Sequence, residues 1–397
     1  MKSKAIYLDA HATTPVDQDV LSAMLPYFTW YYGNGNHEAG WKANAAIENA
    51  RFQVSNLIGA RPSEITFTSG ATEAVNMALL GLARANTSQR NHIITQRTEH
   101  KAVLQCIESL RQEGYRVTLL DVDDVGRINL AELKQAITNQ TLVVAIMLCN
   151  NEIGTIQPMD AIGEIVKRSG AKFFCDITQG LGWYDLNLKK SNIDMAAMSA
   201  HKIYGPRGVG ALYIQNAKPQ LKITPLCYGG GQERGLRPGT HNLPAIVGFG
   251  KACALMHDHA KKDFETIRAL RDHLEHQLLS SIKNIKLNGC PEHRHPGNLN
   301  LSIPNLPGEE LKQLLPEVMF STGSACSSAS SEPSHVISSI TSHEAIALGS
   351  FRLGISKYTT PQDIDTVAVG IIAAVRKRKN TLIVQHHCVN LVGNFAG

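Results

Sequence analysis

Along roughly the first half of the chain, short apolar runs alternate with longer segments in which apolar positions recur every three or four residues. The runs are EITFTS, NHIITQ, RVTLLD, TLVVAIML, KFFCD, DMAAMS and GALYI, and the intervening segments include 45–57 and 130–137. Runs this short and apolar predict strands covered on both faces, and the spacing between them predicts helices. Strand, helix and strand in repetition make a mostly parallel sheet with right-handed crossovers, which brings the strand ends to one edge where ligands bind.

After about residue 260 the pattern changes. A charged helix beginning near KKDFETIRALRDHLEHQLLSSI, the run NLNLSIP and a closing helix predict a smaller α+β unit. The fold class expected is therefore α/β, with a large domain over 13–258 and a small domain made of 1–12 with 259–397. The length of 397 residues fits two unequal domains, since a single core stops growing at roughly 250–300 residues. One low-complexity stretch, STGSACSSASSEP, places Cys326 among small polar residues, and 321–332 reads as a swinging arm.

Charge changes the picture only by exclusion. The net charge of +5 is spread along the chain, which argues against nucleic acid as the main partner. RKRKN at 376–380 follows VAVGIIAAV and reads as the C-terminal turn of a helix, where cations are favoured. No run approaches the ~20 apolar residues of a membrane span, and MKSKAIYLDAHATTP has no signal-peptide core. A soluble, cytoplasmic protein without a membrane partner is expected. The eight cysteines are scattered without a C-x-x-C, which predicts buried thiols rather than a disulfide framework. CPEHRH at 290–295 and HHC at 386–388 match no zinc spacing, so they read as a surface loop and a tail, and no metal is expected.

Polar clusters follow the predicted strands. In TSGATEAVN, Ser69, Gly70, Ala71 and Thr72 lie between a strand and a helix, where free N–H groups suit a phosphate, although a plain capping turn has the same composition. In CDITQG, Asp176 ends a strand and Gln179 follows; in MSAHKIYGPRGVG, Ser199, His201 and Lys202 follow another. A carboxylate and a lysine at neighbouring strand ends are what pyridoxal 5'-phosphate needs, one to hold the pyridine nitrogen protonated and one to form the Schiff base. The same two residues also fit a structural ion pair. GGGQERGLRPGTHN supplies glycines, Arg237 and Thr240 in a segment suited to an anion-binding loop. GPRGVG leads into a strand and lacks the G-x-G-x-x-G order, so it is not a dinucleotide fingerprint.

Taken in order, YLDAHATTPVD, TSGATEAVN, TEHKAV, NNEIGTIQP, DITQ, SAHKIYGPRGVGAL, GGGQERGLRPGT, STGSACSSASSEPSHV and SFRLGIS resemble the cysteine desulfurases of the NifS/IscS family, which are fold-type I pyridoxal-phosphate enzymes. The resemblance implies that Lys202 carries the cofactor, Asp176 pairs with its ring nitrogen, Gln179 and Asn151 contact its ring hydroxyl, and His100 stacks over the ring. It implies a phosphate held by Ala71, Thr72, Ser199 and His201, with Thr240 arriving from the second subunit of a homodimer. Arg352 is implied as the clamp on the substrate carboxylate, with Asn151 beside the substrate, and His100 either accepts a proton from the incoming thiol or only stacks. Cys326 would take sulfur from L-cysteine as a persulfide, leaving alanine, and pass it to an acceptor protein such as an iron–sulfur scaffold or a tRNA-thiolation carrier.

Two alternatives accompany this reading: a selenocysteine lyase or other β-eliminating lyase without covalent capture, and a non-catalytic docking platform. The chain departs from the family at its tail, TLIVQHHCVNLVGNFAG, which does not resemble the segment that scaffold-binding members use, and at Pro238, where a small polar residue is common.

Overall fold

The computed structural model describes residues 5–33, 37–218, 221–322 and 333–393, with side chains described as far as 378. Cys326 lies outside the described residues, as do the side chains of the HHC segment. The first strand, β1 (Ile6–Tyr7), precedes seven that form one sheet: β2 (Ile65–Thr68), β3 (His92–Gln96), β4 (Arg116–Leu120), β5 (Thr141–Ala145), β6 (Lys172–Asp176), β7 (Met195–Ser199) and β8 (Gly210–Ile214). Their order is β2-β8-β7-β6-β5-β3-β4. Neighbours run parallel except at β8, which is antiparallel to both β2 and β7.

Alternation along the strands divides the core. Phe174 and Val143 face Ala74, Ala78 and Leu82 of the helix Ala71–Ala85, while Phe173 and Cys175 join Ile162 and Val166 of the helix Met159–Ser169 on the other side. Burying each phenylalanine contributes roughly 2–3 kcal/mol, which is why the strands read as continuous apolar runs. TLVVAIML was expected to be strand throughout, yet β5 ends at Ala145. The reason is local: the Met147 N–H turns to the Glu99 carboxylate at 2.6 Å instead of continuing the ladder toward β3.

The remaining strands are β9 (Lys286–Leu287), β10 (Asn298–Ser302), β11 (Val318–Met319), β12 (Ser321–Thr322) and β13 (Ser350–Gly354). Four of them make an antiparallel sheet in the order β12-β13-β10-β9, and β1 pairs in parallel with β11.

Three expectations are corrected. The charged helix does not begin near residue 260 but at Leu243, running unbroken to Ser281 and so across the boundary expected at 258. The glycines in LPAIVGFGKACAL are contact points rather than breakers. A Cβ on Gly250 would come within 2.5 Å of the Ala50 Cα, and one on Gly248 within 2.6 Å of the Met24 sulfur, so glycine lets this helix close on its neighbours. RKRKN is not a last helical turn, because the helix Pro361–Gly393 continues past it. CPEHRH is a surface loop only at its middle, where Pro291, Glu292 and His293 are exposed: Cys290, Arg294 and His295 are buried, and Arg294 donates to the Cys290 carbonyl at 3.0 Å.

Six cysteines are described, all free, and only Cys227 is exposed. Among the described residues, no helix is long and apolar enough to cross a membrane, and no group of three or more His, Cys, Asp or Glu side chains is arranged to hold a metal.

Candidate active site at the strand ends

The carboxyl ends of β2, β3, β5, β6 and β7 open on one side of the sheet, as parallel topology requires. After β2 the chain turns at Ser69–Gly70 into the helix Ala71–Ala85, whose first residues present unbonded N–H groups. The turn fits over β8 because Gly210 has no side chain: a Cβ there would lie 2.7 Å from the Gly70 Cα. Glu73 fastens the turn, accepting from the Ser69 N–H at 2.5 Å and from Arg237 Nε at 2.9 Å. That second bond ties the glycine-rich 229–242 segment to the turn, and Thr240 of that segment is exposed to solvent outside the cavity. His201 completes the wall, its Nδ1 3.2 Å from Thr13 Oγ1. Burial, then the cations Lys202 and Arg207, lowers the His201 imidazole to about 4.

Deeper in, Asp176 is the last residue of β6 and is buried, its Oδ1 accepting from the Thr178 N–H at 2.9 Å. Lys202 follows β7 on a short 3-10 turn, and its Nζ donates to the carbonyls of His11 and Ala12. Gln179 is locked to His11 in both directions, donating to its carbonyl at 3.0 Å and accepting from Nδ1 at 3.1 Å. One amide N–H of Gln179 remains for a ligand.

His100 is the N-cap of the helix Lys101–Gln112, its Nδ1 accepting from the Ala102 N–H at 3.1 Å. In the neutral ring that bond leaves the proton on Nε2, so this imidazole is a donor at Nε2; taking a proton from a thiol requires Nδ1 to leave the cap. Burial lowers the His100 pKa, against the opposing influence of Asp176.

These side chains surround a cavity of about 620 Å³. The cavity brings together every described residue expected from the sequence except Thr240: Ala71 and Thr72, His100 and Asn151, Asp176 and Gln179, Ser199, His201 and Lys202, and Arg352 from β13. His11, Thr13, Thr178, Glu99 and Ser321 have no role assigned from the sequence, although YLDAHATT and TEHK hold three of them. The donor set fits pyridoxal phosphate: free helix N–H groups for the phosphate, a buried carboxylate for a ring N–H, and an amine for the carbonyl. Thr178 Oγ1, on the cavity wall, is buried without a partner.

Two buried groups shape the pH response. Glu99 is fully buried and held by Met147 N–H and by Gln96 Nε2 at 2.8 Å; burial, then the Asp176 charge, pushes its carboxyl up to about 8. His11 is pushed down to about 3, by burial first and by Arg352 second. The folded state keeps the Glu99 proton that the unfolded chain gives up above about pH 4.5. This stability is fully present below that pH and is lost as pH rises toward 8. Conversely, the folded state refuses the His11 proton that the unfolded chain takes below about pH 6.5, so stability is lost as pH falls from there toward 3. Each slope is at most roughly 1.4 kcal/mol per pH unit. Melting temperature measured against pH is expected to show a flatter alkaline limb in Glu99→Gln than in the wild type; parallel curves would contradict the assignment.

The class-V aminotransferase family model matches residues 6–367. The chain belongs to this family. Within the class-V aminotransferases its relatives are cysteine desulfurases: a protein of Rickettsia typhi described as cysteine desulfurase IscS is 47% identical over 93% of this chain and 90% of its own length. A solved structure described as a NifS-like protein superposes with a TM-score of 0.87 at 35% identity, covering 94% of this chain and 99% of that one. A second, described as SspA in complex with cysteine, gives a TM-score of 0.79 at 35% identity over 89% of this chain and all of that one. The class-V scaffold is that of fold-type I pyridoxal-phosphate enzymes, and the large mostly parallel sheet seen here is its core.

Proposed function

We propose that this protein is a cysteine desulfurase that converts L-cysteine to L-alanine and transfers the sulfur to Cys326. The observation that carries the reading is the convergence of Lys202, Asp176 and Arg352 on one cavity, in a chain whose relatives are cysteine desulfurases. The balance is L-cysteine plus the Cys326 thiol giving L-alanine plus a Cys326 persulfide, so the C–S bond breaks as the S–S bond forms.

Pyridoxal phosphate, when bound, supplies a carbonyl that condenses with amines and a ring that accepts the electrons released at the substrate Cα. Asp176 holds a proton at the ring nitrogen. Lys202 Nζ would be the point of attachment for the cofactor and the base that moves the proton at the substrate Cα. Gln179 and Asn151 orient the ring through its hydroxyl, His100 covers it, and Ala71, Thr72, Ser199 and His201 hold the phosphate. Arg352 binds the substrate carboxylate.

Thr240, exposed on its loop, serves the phosphate site of the other subunit in a homodimer. Exposed Phe28, Trp30, Trp41 and Tyr228 offer apolar surface that an interface between copies would cover. The persulfide passes to an acceptor protein serving iron–sulfur cluster assembly or another sulfur product, and the reaction belongs in the cytoplasm.

Cys326→Ser tests the reading. Alanine formation is expected to fall by at least about 100-fold while the cofactor absorbance stays intact, because the sulfur acceptor alone is lost. Undiminished alanine with release of free sulfide would overturn covalent capture in favour of a β-eliminating lyase.

A further inference from the structure

We infer that Asp9 is an internal stand-in for the substrate carboxylate, latching Arg352 in the free enzyme and thereby setting how loosely the site takes amino acids. This rests on the reading of the cavity as an amino-acid site.

The latch is built by backbone register. Asp9 bridges to Gly354, two residues beyond Arg352 on β13, and the Gly354 N–H donates to the Leu8 carbonyl at 2.7 Å. Glycine is required there, since a Cβ would lie 2.7 Å from the Ala10 nitrogen. On the same edge of β13, the one not taken by β10, Ser321 pairs directly with Arg352. Asp9 and Ser321 are therefore brought to the guanidinium by the pairing of strands, not by loop conformation.

Counting donors gives the consequence. Nη2 of Arg352 donates to Asp9 Oδ1 at 2.8 Å and to Ser321 Oγ at 3.0 Å, which uses both of its N–H groups. The Ser321 hydroxyl in turn donates to the same Asp9 oxygen at 2.8 Å. Nη1 donates to the Asn151 carbonyl at 2.9 Å, and Nε is buried without a partner. A carboxylate can grip a guanidinium with two parallel bonds along the Nε–Nη2 edge or across Nη1 and Nη2, and both grips need an Nη2 N–H. With Nη2 fully engaged, an incoming carboxylate must displace Asp9 or Ser321 to bind in this way.

The side chains of Arg352 and Asp9 are only 10% and 19% exposed, so the pair is not a screened surface bridge. Asp9 is the counter-ion of a largely buried cation in the free protein, and the substrate carboxylate takes over that role on binding. A ligand's net affinity reflects only the difference between the two states. Removing the charge of Asp9 raises the free state more than the bound one and tightens the carboxylate.

The test is an absorbance titration of the cofactor-loaded wild type and Asp9→Asn with L-alanine and with cysteamine, alongside steady-state kinetics on L-cysteine. In Asp9→Asn the L-alanine Kd and the L-cysteine KM are expected to fall by about three- to tenfold, while cysteamine, which has no carboxylate, is unchanged. Ser321→Ala removes one leg of the latch without touching the charge and is expected to shift L-alanine in the same direction by less; it carries the test if Asp9→Asn does not fold. A raised or unchanged L-alanine Kd, or cysteamine shifting in step with it, overturns the inference alone. A wild type that responds to neither amine and makes no alanine from L-cysteine overturns the amino-acid site as well.

Discussion

Lys202→Ala is expected to abolish alanine formation from L-cysteine, with a loss on the order of 10⁴-fold or more, because in the proposed reaction one amine serves as both attachment point and proton carrier. No other lysine lines the cavity among the described residues, so no neighbour can take over. Borohydride reduction followed by peptide mass spectrometry gives a readout independent of turnover. The wild type should carry the cofactor mass on the peptide containing Lys202, and the variant on none. Cofactor fixed to a different lysine in the wild type would displace the assignment.

Asp176→Asn is the second large effect, a loss of about 10²- to 10³-fold in turnover, as expected when a preorganised charge is removed from a reacting ring. The substitution separates charge from shape. An asparagine Oδ1 can still accept from the Thr178 N–H, so the turn after β6 stays in place. The change should also reach Glu99, whose carboxyl is raised partly by the Asp176 charge. With that charge gone, the loss of stability with rising pH, which still begins near pH 4.5, should level off at a lower pH. Full activity in Asp176→Asn would show that the ring nitrogen is not paired there.

Much of this site was legible because strand ends carry it. Asp176, Ser199 and Lys202 each follow an apolar run whose end is visible in the sequence, and parallel topology does the rest. Contacts that depend on strand pairing at long range were not legible. Asp9, Ser321 and Arg352 meet only because the Asp9–Gly354 bridge and the β12–β13 register bring segments more than 300 residues apart together. The role of His100 as a helix cap depends on a backbone angle that residue type does not specify. The helix from Leu243 was hidden by Gly248 and Gly250, which look like breakers until their partners Met24 and Ala50 are seen. CPEHRH suggests a surface, which Pro291, Glu292 and His293 do form, but Arg294 satisfies buried carbonyls and His295 packs edge-on against His11 with ring centres 4.5 Å apart.

The most direct measurement is an absorption spectrum of the purified protein before and after L-cysteine, with alanine and sulfane sulfur assayed in the same sample. A visible cofactor band that changes on addition, with alanine formed in step with sulfur, is the expected result. A band indifferent to L-cysteine, with no alanine produced, would contradict the assignment of L-cysteine as substrate and of Cys326 as sulfur acceptor.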